Sequence, residues 1–187
     1  ELFHTGGDLM TYGLSAGSSA IGVQEVEYRS RWTGQAITSL DSLMSSEANV
    51  TAELDTSNKR EGTASAKINI GAGVSSAAVV ATSSFGTIDA RKYTHMEFWA
   101  LSNVTVTSSA LQARLGEAAT TRETVAFPLL NADSWTYVRL ALGNPELDSA
   151  ITRFILMTGA SDAGSLTVWL DDVKFVRDAT EEWTRLN

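Results

Sequence analysis

Apolar and polar positions alternate along most of this chain, in short runs separated by turn residues. The alternation is sharpest at 63–70, where Thr63, Ser65, Lys67 and Asn69 interleave with Ala64, Ala66, Ile68 and Ile70. A period of two sends the two sets to opposite sides of an extended strand. The same pattern predicts strands at 40–43, 49–54, 74–82, 94–102, 109–115, 122–127, 135–142, 151–158 and 166–175. Between them lie DTSNKREG, GAG, FGTIDARKY, GEAATT and SDAGS, which carry turn chemistry. Helix signals are confined to GNPELDSA, where Asn144 precedes Pro145, and they predict a single short turn. Many short strands with almost no helix predict an all-β fold: a two-sheet antiparallel β-sandwich of the jelly-roll kind.

The strand LTVWLDDVKF at 166–175 reads as the closing strand. By parity, Val168, Leu170, Asp172 and Lys174 share one side, and Thr167, Trp169, Asp171, Val173 and Phe175 share the other. Two adjacent carboxylates then sit mid-strand, where a sandwich is half buried. An unpaired buried carboxylate costs several kcal/mol, so Asp171 and Asp172 need a cation, a cluster of donors or solvent.

Residues 1–38 follow neither period. They are Gly- and Ser-rich, yet Leu9, Met10, Tyr12, Leu14 and Ile21 are too apolar for a simple solvated linker. The expected organisation is an irregular N-terminal arm (1–38), a sandwich (39–177) and a polar tail (178–187). Two readings of the arm stay open: a segment that docks on a neighbouring subunit, and a strand or loop folded onto its own domain.

A net charge of −8 argues against nucleic acid or an anionic membrane surface as partner. No apolar run approaches the roughly 20 residues of a membrane-spanning helix. With no cysteine, disulfides and thiolate chemistry are excluded. Catalysis has little to build on. His4 and His95 are the only histidines, no nucleophile or phosphate-loop motif occurs, and neighbouring Asp171 and Asp172 point to opposite sides of a strand. No enzyme activity is expected.

Four segments together carry a resemblance: LDTSNKREGTASAKINI, FGTIDARKYTHMEFWA, NADSWTYVRLAL and LTVWLDDVKF. They resemble the carbohydrate-binding-module-like (galactose-binding-like) jelly rolls, a group also met in bacteriophage decoration and tail proteins. The resemblance spans about 39–177. It implies a structural calcium joining the first strand, the early charged turn and the closing Asp-Asp, which by position points to Asp41, Glu61 with its neighbouring carbonyls, Asp171 and Asp172. Glycan binding would need exposed rings, for which Trp32, Trp99, Trp135, Trp169 and Trp183 are the candidates. Trp99 and Trp135 fall at core-like positions, and Trp169 is expected to pack.

These observations give two functional expectations. The first is a non-enzymatic virion structural protein: a phage capsid decoration, head-fibre or tail-associated subunit on the virion exterior. It would be oligomeric in the assembly and attached to other virion subunits through Leu9, Met10, Tyr12, Leu14 and Ile21, with host-surface glycan as a further partner. The alternative is a secreted or cell-surface carbohydrate-binding module.

Overall fold

A computed structural model of the chain describes residues 34–117, 120–160 and 164–177. Among them are eleven strands: β1 (Gln35–Thr38), β2 (Ser45–Ser46), β3 (Val50–Asp55), β4 (Ser65–Ile70), β5 (Val79–Ile88), β6 (His95–Ser102), β7 (Leu111–Glu117), β8 (Thr120–Ala126), β9 (Thr136–Ala141), β10 (Ile151–Thr158) and β11 (Leu166–Val176). The helical element among them is one 3-10 turn at Pro145–Leu147, in the segment that predicted it. No helix among the described residues is long and apolar enough to cross a membrane.

The strands form two antiparallel sheets. The first runs β3-β4-β11-β6-β9, with β1 also on β11; the second runs β2-β5-β10-β7-β8. This is the expected two-sheet sandwich. The inner side of each strand is the apolar parity: Ile68 and Ile70 of β4, Leu111, Ala113 and Leu115 of β7, Phe154 and Leu156 of β10. Phe98 of β6 packs against Phe154, with ring centroids 5.9 Å apart, and against Phe127, at 5.0 Å. Each such side chain contributes about 1.5–3 kcal/mol by leaving water.

Three local features depart from the pattern. The strand expected at 40–43 is instead a turn. Leu40 sits at φ 58 and is fully buried, and the Thr38 and Ser39 hydroxyls accept the N–H groups of Leu40 and Asp41. That turn drives Leu40 into the core and swings Asp41 the other way. Secondly, β5 continues through 85–88, which the Gly-containing sequence assigns to a loop; pairing with β10 holds it extended.

The third departure lies in β11. Its register against β6 shifts between Asp171 and Lys174, and Asp172 adopts φ 50. This bulge takes up one residue. Val168 and Leu170 face inward before it, and Val173 and Phe175 face inward after it. Strict alternation therefore fails, and Asp171 and Asp172 part company for this reason. The bulge also divides the partners of β11: β4 pairs with 166–170 and β1 with 173–175.

Strand β1 begins at Gln35, so pairing in the sandwich starts ahead of the Ser39 boundary. Residues 1–33, with Leu9, Met10, Tyr12, Leu14 and Ile21, and the tail from 178 lie outside the described residues.

Candidate functional site

The charged turn DTSNKREG folds over the outer face of the first sheet. Asp55 starts it, accepting the N–H groups of Ser57 (2.7 Å) and Asn58 (3.1 Å) and the Trp169 indole N–H (2.8 Å). Burial alone would raise the Asp55 pKa, but the indole and backbone donors outweigh it and bring it to about 2. The Arg60 guanidinium lies 4.2 Å above the Trp99 ring. Asp171 Oδ2 accepts the N–H groups of Arg60 (2.6 Å) and Glu61 (3.0 Å). From the other side, Asp41 Oδ1 accepts those of Thr63 (2.8 Å) and Ala64 (2.6 Å). Gly62, at φ 56, passes so close to Asp41 that a Cβ there would collide with the carboxylate.

Of the four residues put forward for calcium, Asp41 and Asp171 thus converge on one turn. Glu61 brings its backbone to that turn while its side chain is exposed. Asp172 sits in the bulge itself and pairs with Lys174 at 2.9 Å. The two converging carboxylates differ in state. The Ala64 N–H chiefly lowers the Asp41 pKa. Burial raises that of Asp171, offset in part by the two N–H groups it accepts. Asp171 Oδ1 is buried and has no hydrogen-bond partner. Among the described residues no three acidic or histidine side chains gather into a metal-binding group.

The rings on this face are engaged. Trp169 holds Asp55, and Trp99 lies between Arg60 and Tyr137, whose centroid is 4.9 Å away. Tyr137 donates its phenol to Glu97, whose other oxygen pairs with Arg139 at 2.9 Å. Trp99 therefore faces outward, not into the core where its position had suggested it would lie. Trp135 is half-buried ahead of β9, and Trp32 and Trp183 lie outside the described residues. A polar hollow at one end of the sheet, lined by Asn49, Thr51, Asn69, Asn103 and Thr167, is likewise self-satisfied. Asn69 donates to Thr51 and accepts from Thr167, and Asn103 accepts the Thr167 N–H.

The outer face of the second sheet is different. Register places Ser45, Thr82, Ile155, Arg114 and Thr124 in one row across all five strands. A second row holds Ser84, Arg153 and Gly116, and a third Val79, Met157, Gln112 and Ala126. These are the alternates of the core positions, so they point away from the sandwich, with Ile155 and Met157 at the centre of the face buried beneath their neighbours. The Arg153 guanidinium lies across Gly116; a Cβ there would sit 3.0 Å from Nη2 and 3.1 Å from Nε. The Nε–H groups of Arg114 and Arg153 are buried and have no acceptor. Neither arginine forms an ion pair among the described residues. The outward residues of these rows include no aromatic side chain. Sequence reading passed over both arginines, because SALQARL and ITRFILMT show no reason to meet until the β7–β10 register is known.

A buried carboxyl pair, also missed, closes one edge. Glu123 accepts the N–H groups of Gly143 (3.0 Å) and Asn144 (2.7 Å). Beside it Asp148 is fully buried, with both carboxyl oxygens lacking a protein donor. Burial first, then the Glu123 charge, push the Asp148 pKa up to about 7. The pair fastens the 143–148 segment to β8, enclosed and out of reach of a substrate.

No family model matches the sequence, and no curated protein matches it. Solved structures match by fold. A family 11 carbohydrate-binding module of a cellulosomal cellulase of Clostridium thermocellum aligns with a TM-score of 0.55 at 9% identity, covering 77% of this chain and 94% of that one. A family 11 module from the same organism, in complex with a β-1,3-1,4-mixed-linked tetrasaccharide, gives 0.53 at 8% identity over 77% and 95%. A family 30 module of another cellulosomal cellulase of that organism gives 0.51 at 14% identity over 78% and 98%. At such identities the likeness is one of fold. The described chain has the β-sandwich jelly roll of carbohydrate-binding modules, in agreement with the resemblance in its sequence.

Proposed function

We propose that this chain is a non-catalytic carbohydrate-binding module whose glycan face is the outer side of the second sheet. The observation that carries the proposal is the pair of unpartnered Nε–H groups on Arg114 and Arg153, in rows that also offer Thr82, Ser84, Gln112 and Thr124. A desolvated donor without an acceptor costs roughly 1–3 kcal/mol, and a ligand oxygen removes that cost. Among the described residues the first sheet has no buried side-chain donor left without an acceptor, and its rings already engage neighbouring side chains. Of the similar structures, one holds a tetrasaccharide, and this supports the same reading. The virion reading has no support among the similar structures, and the arm on which it depended lies outside the described residues. A secreted or cell-surface setting goes with the module.

A structural calcium belongs to this proposal. Its donor set fits a hard cation: Asp171 Oδ1 is buried and unpartnered, and Asp41 brings a second carboxylate to the same turn. Carbonyl oxygens of residues 60–63 would complete the set. Such an ion would cancel the buried charge of Asp171 and fix the charged turn; it would take no part in glycan binding on the opposite sheet.

Affinity electrophoresis of the whole chain through gels holding soluble polysaccharides, neutral and acidic, tests the function. Migration should be retarded by at least one polymer, without release of reducing sugar. Unretarded migration across the panel would sink the proposal, and sugar release would sink its non-catalytic part.

A further inference from the structure

We infer that the outer face of the second sheet recognises acidic polysaccharide, through the carboxylates of uronate residues bound by Arg114 and Arg153. The inference rests on that face being the glycan site and adds the class of glycan. Its first support is the missing acceptor: both Nε–H groups are buried and unpartnered, and no carboxylate of the described chain neutralises either guanidinium. The chain as a whole carries −8, so two uncompensated cations on one face are a local reversal of sign. The second support is the lack of any ring in the outward rows. Without stacking, affinity has to come from charge-assisted hydrogen bonds, which are about twice as strong as neutral ones.

Geometry favours a planar acid. Arg153 lies flat across Gly116, where any side chain would displace it. A guanidinium carries pairs of parallel N–H donors that match the two oxygens of a carboxylate. Arg114 stands opposite Ile155 and Arg153 opposite Gly116, so the two are diagonal neighbours. Such positions are about 7–8 Å apart.

The test is calorimetric titration of the full chain with galacturonate oligosaccharides, their methyl esters and sulfated dextran, at low and moderate salt. The acid form should bind, and esterification should weaken it at least about tenfold. Arg114→Gln and Arg153→Gln should each lose at least about tenfold, and Arg153→Lys less, since it keeps the charge without the fork. Circular dichroism and melting temperature should stay at wild-type values or better, because each change removes an unpaired desolvated donor. Equal binding of the ester, or full binding by the Arg114→Gln/Arg153→Gln double variant, would overturn the inference while leaving a neutral-glycan module standing. Binding of sulfated dextran alone would overturn the choice of carboxylate. Binding of no sugar, with neutral polymers also failing to retard the chain, would remove the module reading as well.

Discussion

Asp171→Ala lowers the stability of the chain by about 3 kcal/mol, the size expected when charge-assisted hydrogen bonds to backbone are removed and their donors left behind. The carboxylate holds the charged turn through the Arg60 and Glu61 N–H groups, at 2.6 and 3.0 Å. Releasing the turn also frees Arg60 from Trp99. For a chain of this length the loss reads as a fall in melting temperature of about 6–12 °C. Asp172→Ala is the control. Its carboxylate makes a partly exposed ion pair with Lys174, so less than about 1 kcal/mol is at stake. If calcium occupies the turn, it stabilises the native state by mass action. A chelator then lowers the melting temperature of the wild type and leaves Asp171→Ala unmoved. Equal effects of the two alanine substitutions would contradict the assignment of Asp171 as the tether. A chelator without effect on the wild type would remove the metal.

Asp148→Asn makes the chain more stable at neutral pH and flattens its stability between about pH 4 and 7. The folded-state pKa of Asp148 is raised from 3.8 to about 7 by burial and by Glu123, with Glu146 adding to the rise and Arg122 opposing it. Over that window the folded chain holds a proton that the unfolded chain has lost. Stability from this group is complete below the unfolded pKa and declines as pH rises, levelling off above about 7. At 1.36 kcal/mol per pH unit the decline is on the order of 4 kcal/mol. The amide cannot ionise and can donate to Glu123, so the variant lacks this slope. Urea unfolding at pH 5 and pH 8 measures it. A wild type equally stable at both, or a variant that keeps the slope, would contradict the buried pair.

The architecture was legible because core and surface alternate over residues such as 66–70 and 136–141, and turn chemistry marks the gaps. What defeated the reading was every event that breaks a period. Strict parity puts Asp172 on the side of Val168 and Leu170 and Asp171 on the other, yet the bulge at φ 50 leaves Asp171 a buried tether and Asp172 a half-exposed partner of Lys174. The turn at Leu40 replaces a strand for a similar reason, since two hydroxyls can cap the backbone locally. The resemblance puts Trp99 at a core or core-edge position; Arg60, distant in sequence, is what covers it on the outer face. The candidate site was the least legible part. Arg114 and Arg153 become one surface only through the register of β7 against β10, which no local pattern encodes. Asp148 and Glu123 likewise come from segments that reveal nothing of each other.

The central claim is that glycan binds on the outer face of the second sheet. Protection of individual arginines tests it most directly. The chain is treated with an arginine-selective dicarbonyl reagent, with and without the polysaccharide that retards it most strongly, and modification is located by peptide mass spectrometry. Modification of Arg114 and Arg153 should slow in the presence of the polysaccharide, while Arg60 and Arg139, on the first sheet, react unchanged. Protection of Arg60 and Arg139 instead would place the glycan over Trp99 and Tyr137 and contradict the account.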